Sequence, residues 1–91
     1  MTVLLKGPAT VVANAGGDVL VVDHGDERLA TAGSGDVLAG MIGALLAAGV
    51  AAECAAATAA WLHADAAGRG PRRGLLAGDI VELIPATLEA L

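Results

Sequence analysis

The sequence predicts an α/β chain with its strands first and its helices after them. Three observations carry this. Short β-branched or aliphatic runs occupy residues 2–5, 10–13 and 18–22. Ala15-Gly16-Gly17 between the last two runs reads as a hairpin turn. From Asp36 onward the apolar residues recur at helical rather than alternating spacing.

Taken in order, the first two strands are separated by Lys6-Gly7-Pro8-Ala9, in which the Gly-Pro pair breaks regular structure. Residues 23–32 are polar without period and read as a loop. The first helix covers 36–48, with Leu38, Met41, Ile42, Leu45 and Leu46 on one face. Gly40, Gly43, Ala44 and Ala47 form a second face of small residues, so both faces are expected to be covered. Gly49 suits the C-terminal cap. A second helix is expected over 52–67. A third begins near Asp79, a good N-cap, and Pro85 should kink or break it.

The 91 residues leave room for one small domain. With no Phe or Tyr and a single Trp, a core rich in Ala and Gly buries little area per residue. The strands are too few to cover the helices, so the chain reads as part of a larger packed domain. A formal net charge of −5 argues against nucleic acid as a partner. Despite a mean hydropathy of +0.71, the longest uncharged run is 16 residues, 37–52. A spanning helix needs about 20, so no membrane insertion is expected. One cysteine, Cys54, excludes an internal disulfide and reads as a buried helix residue; no leader is evident, and a cytoplasmic setting is expected.

The strongest chemical signal is Thr31-Ala32-Gly33-Ser34-Gly35-Asp36 opening the first helix. Glycines on either side of a serine let the backbone approach a ligand closely, and the free N–H groups of a helix start favour an anion. Asp36 can be a first-turn acid that suits the helix dipole. It can also be a general base taking a proton from an attacking hydroxyl. The dinucleotide fingerprint fails at Leu38, and the phosphate loop ending in Gly-Lys-Ser/Thr is absent.

Other polar residues take plainer readings. His63 and Asp65 point in different directions on their helix, so they form no metal pair and His63 is a packed helix residue. His24, and Asp23, Asp26 and Glu27, read as a solvated loop. Arg69, Arg72 and Arg73 read as another. Trp61 is expected to anchor the core of its helix.

Gly33-Ser34-Gly35-Asp36 before an apolar helix resembles the anion-hole motif of the ribokinase-like superfamily. The longer string from Leu29 to Gly40 is similar to the ADP-dependent NAD(P)H-hydrate dehydratases, as are Leu5-Lys6-Gly7-Pro8-Ala9-Thr10, the segment from Leu62 to Gly68, and Ala77-Gly78-Asp79-Ile80. The resemblance covers essentially the whole chain. It implies that residues 1–91 are the C-terminal segment of a ribokinase-like three-layer α/β fold, incomplete because family domains are much longer.

The implied reaction repairs hydrated NADH or NADPH: ADP, or ATP in some members, phosphorylates the hydrate hydroxyl and phosphate is eliminated. Asp36 would be the catalytic base and contact the substrate. Gly33, Ser34 and Gly35 would bind phosphate through backbone N–H groups, and Lys6, Gly7, Pro8, Ala9 and Thr10 would line the adenine-nucleotide site. Mg²⁺ is implied, with its ligands mostly in the N-terminal portion, and the partner is either that portion or further copies in a homo-oligomer. The rivals are a hydroxyethylthiazole kinase-like enzyme, which would leave a stable phosphorylated product, and a non-catalytic nucleotide-binding remnant.

Overall fold

A computed structural model describes residues 1–7 and 9–91. Three strands, β1 (Thr2–Leu5), β2 (Thr10–Asn14) and β3 (Val19–Val22), form an antiparallel sheet in the order β1-β2-β3. The register pairs Leu4 with Val12 and Val12 with Leu20. The β2–β3 hairpin closes as expected, and the Asn14 side chain makes it tight: its Oδ1 accepts from the N–H groups of Gly16 (2.9 Å) and Asp18 (3.1 Å).

Three helices follow: α1 (Ser34–Ala47), α2 (Ala52–Gly68) and α3 (Ala77–Glu89). α2 is central and packs on the sheet, α1 and α3. Ala55, Ala56, Ala59, Ala60, Ala64, Ala66 and Ala67 are its buried residues with His63, and side chains this small let neighbouring elements come close. One core cluster joins Ala66, Ala67, Leu75 and Ile80; the other joins Leu38, Ala59 and Ala60 and draws in Leu4 and Val22 from the sheet.

α1 ends as the sequence predicts. Gly49, at φ +90°, donates to Leu46 O, and Val50 N–H reaches back to Leu45 O. This is the Schellman closure, which needs a left-handed residue.

Several expectations are corrected. α1 starts at Ser34, two residues early, because Gly33 takes the N-cap position. The 23–32 segment is not wholly irregular: Glu27–Ala30 is a 3₁₀ turn capped by the Asp26 side chain. The small-residue face of α1, including Gly40, Gly43 and Ala44, is exposed rather than covered. Asp79 lies in the first turn of α3, not at its cap, and its carboxylate accepts from Leu76 N–H at 2.9 Å. α3 runs through Pro85 without a break; Pro85 is exposed while Ile80 and Thr87 to either side are buried, so packing holds the helix. Cys54 is exposed, and Trp61 is 39% exposed and anchors no core. Both lie on one stripe of α2 with Thr58 and Asp65, away from the alanine face.

The sheet has two apolar faces because each strand is apolar almost throughout. Leu4, Val12 and Leu20 share the side turned to α2; Val3, Ala13 and Val19 stand in register on the other side, with Leu5, Val11 and Val21. On that outer side Leu5, Val19 and Val21 are 66%, 59% and 62% exposed. Among the described residues no helix is long and apolar enough to cross a membrane.

Candidate functional site

The site forms where the end of β1 meets the start of α1. Gly33 has φ +85°, a conformation that side chains rarely adopt. It turns the chain so that the first turn of α1 faces an open cavity of about 790 Å³. Ser34 N–H is taken by Thr31 O, and Asp36 N–H by Gly33 O. Among the described residues Gly35 N–H donates to no protein acceptor, and it lies at the positive end of the helix dipole. A Cβ built on Gly35 meets nothing within 4 Å.

A partly buried polar network supports this turn from below. Lys6 follows β1 directly, and its Nζ donates to Ser34 Oγ at 2.6 Å and Leu29 O at 3.0 Å. Ser34, almost wholly buried, donates its hydroxyl to Leu29 O at 2.7 Å. From the far side His63 Nε2 donates to Ser34 O at 2.9 Å, which puts the imidazole proton on Nε2. Thr31 Oγ1 donates to Leu75 O, joining the turn to the segment before α3. Burial holds the Lys6 ammonium below its ordinary range.

Burial, reinforced by the charge of Lys6, also pushes the His63 imidazole below its ordinary 6.5, while its bond to Ser34 pulls the other way. The unfolded chain then takes up a proton that the folded chain resists, so this stability is present above the ordinary value and is lost as pH falls through it. Asp26 and Asp65, whose carboxyls are held low, lose their contributions only below the carboxylate range. The denaturant midpoint is therefore expected to fall between about pH 7.5 and about pH 5.5. His63→Gln, whose amide can still donate to Ser34, should flatten that difference; an equal fall in both proteins would assign the slope elsewhere.

Of the residues expected at the site, Lys6, Gly7, Ser34 and Gly35 line the cavity. Ala9 and Thr10 do not; Thr10 is buried at the start of β2. Pro8 lies outside the described residues. Gly33 shapes the turn without lining the cavity, and Asp36 stands exposed one residue beyond Gly35.

The opposite wall went unread in the sequence: it comes from the loop after β3, through Asp23, Gly25, Asp26 and Glu27, and from Leu29 to Thr31. Two of its acids, Asp26 and Glu27, are paired rather than freely solvated. Arg28 grips both Asp26 oxygens and holds that carboxyl far below the usual range. Arg72 donates to Glu27 at 2.6 Å, and Arg69 to Asp65 at 3.1 Å, so two of the three loop arginines are paired. His24 is also corrected: it stacks on Trp61 and bonds to Asp65. Spacing alone held no signal for these pairs.

Among the described residues no three His, Cys, Asp or Glu side chains converge as an ion would require, so no step below passes through Mg²⁺.

A sheet followed by helices, with a glycine-led helix start opening on a cavity, defines a portion of a ribokinase-like α/β domain. The NAD(P)H-hydrate dehydratase family profile matches residues 1–86. The chain belongs to that family. It is 51% identical over 84 residues to an ADP-dependent (S)-NAD(P)H-hydrate dehydratase of Neisseria meningitidis, covering 87% of this chain and 28% of that protein. It is 64% identical over 66 residues to a bifunctional NAD(P)H-hydrate repair enzyme Nnr of Mycobacterium leprae, covering 72% and 14%. A protein of the same name from Moorella thermoacetica is 41% identical over 92 residues, covering 97% and 17%. The chain thus spans less than a third of the length of these relatives.

Proposed function

We propose that this chain carries the nucleotide-phosphate cradle and the proton acceptor of an ADP-dependent dehydration of hydrated NADH or NADPH. The observation that carries the reading is the first turn of α1: Gly33 at φ +85° sets it against the cavity, with Gly35 N–H unpartnered among the described residues. The name of the Neisseria relative supports ADP as the donor, rather than ATP.

In this reading the hydrate hydroxyl attacks the terminal phosphorus of ADP, the bond to AMP breaks, and Asp36 takes the hydroxyl proton. Phosphate then departs with the electron pair of the C–O bond, the adjacent ring carbon gives up a proton to solvent, and its C–H electron pair forms the C=C bond of the reduced nicotinamide. Backbone N–H groups at the helix start stabilise the charge on the transferred phosphoryl without having to reorganise. Lys6 adds its charge at Ser34, directly below that start. The apolar outer face of the sheet supports a further layer of protein against it in the working enzyme.

Gly35→Val tests the cradle. The fold tolerates the added atoms because a Cβ there meets nothing, but they project where phosphate must approach. ADP affinity measured by calorimetry is expected to fall by about tenfold or more, the loss of one charge-assisted hydrogen bond, with the circular dichroism unchanged. Unchanged affinity would place the phosphates elsewhere.

A further inference from the structure

The loop that walls the cavity is fastened to α2 at two points, one on each side of its lining residues Gly25, Asp26 and Glu27. Before them, His24 lies flat on the indole of Trp61, with ring centroids 4.6 Å apart and planes within 7°. Its Nε2 donates to Asp65 Oδ1 at 2.9 Å, and Arg69 steadies the same carboxylate. After them, Arg28 Nη1 donates to the carbonyls of Gly68 and Gly70 at the end of α2, at 3.2 and 2.9 Å. The short stretch between the anchors, Gly25, Asp26 and Glu27, faces the cavity.

The His24 anchor contributes nothing to the core. Its own side chain and Trp61 are each 39% exposed, and neither belongs to a core cluster. The stack and the hydrogen bond therefore act on the loop and leave the packing of the helices alone. His24 does not itself line the cavity. Its effect on a ligand must pass through the adjoining residues.

We infer that His24 is a positioning residue: held between Trp61 and Asp65, it fixes Gly25 to Glu27 as the wall of the nucleotide cavity. The inference rests on the nucleotide reading above. Ordering this wall beforehand removes a cost that ADP would otherwise meet on binding.

The test is ADP titration of the 91-residue chain by calorimetry, with hydrogen exchange followed by mass spectrometry. His24→Ala is expected to weaken ADP about fivefold and to speed exchange across residues 24–30 alone. Protection in α1 and α2 and the melting temperature should stay at wild-type levels, which a merely structural role would not allow. Trp61→Ala should match it. His24→Gln, which can still donate to Asp65, should recover part of the affinity. Trp61 is the sole Trp in a chain with no Tyr or Phe, so its emission reports the stack directly: it should shift in His24→Ala and stay shifted in His24→Gln.

Unchanged affinity in His24→Ala beside a wild type that binds ADP would overturn the inference, as would a general loss of protection. A wild type that fails to bind ADP would instead sink the nucleotide reading. Unchanged exchange in residues 24–30 of the variant would overturn the clasp whether or not ADP binds.

Discussion

Asp36→Asn, in a full-length family enzyme carrying this segment, is expected to lower turnover by about 100-fold or more, the scale of a positioned acid–base group. ADP should bind nearly as before. Asn keeps the size of Asp36 and its place in the first turn of α1, but it cannot accept the hydroxyl proton. The change also removes a negative charge from the helix start, a loss of about 0.3–1 kcal/mol at an exposed position. That cost is too small to mimic a catalytic defect, and a melting curve measures it separately. Asp36 is exposed and follows the cavity-lining Gly35 directly, which leaves it accessible to a substrate. Steady-state assay of NADH recovery from its hydrate, with calorimetry of ADP, decides the matter. A variant with near wild-type rate would remove Asp36 from the mechanism.

The 91-residue chain by itself is expected to self-associate and to show no measurable dehydratase turnover, while retaining weak ADP binding. The outer face of the sheet presents apolar side chains from all three strands, with Leu5, Val19 and Val21 more than half exposed. β1 and β3 are also free edges, each offering unpaired backbone groups to another chain. An exposed apolar patch with open edges favours association. The ADP contacts proposed here are local, from Lys6 to the first turn of α1, so they persist in part. Ligands of doubly wound α/β folds sit outside the ends of several strands, and this sheet has three. Sizing chromatography should show species heavier than the monomer, and Val19→Lys with Val21→Lys should shift them toward it. A monomeric, cooperatively unfolding chain that restores NADH at an enzymatic rate would overturn this expectation.

Much of the molecule was legible because its signals are local. The hairpin around Ala15-Gly16-Gly17, the strand limits within a residue, and the Gly49 closure depend on φ preferences and bonds a few residues apart. So does the helix start after Gly33, and with it the candidate cradle. Spacing also separated His63 from Asp65: one is buried against Ser34, the other faces His24 and Arg69.

What the tertiary structure alone decided lies in pairs far apart along the chain. Lys6 meets Ser34 across 28 residues, His24 meets Asp65 across 41, and Arg72 meets Glu27 across 45. No periodicity reports such partners, so the 23–32 segment read as a solvated loop, although His24, Asp26, Glu27 and Arg28 are bound. Trp61 and Cys54 read as core because apolar residues usually are. Their place was decided by rotation about α2: the alanines from Ala55 to Ala67 turn inward to fit the sheet and the flanking helices, which leaves the stripe of Cys54, Trp61 and Asp65 outside. An alanine-rich helix has almost no amphipathic pattern to show which side is buried. Only the surfaces packed against it make that choice.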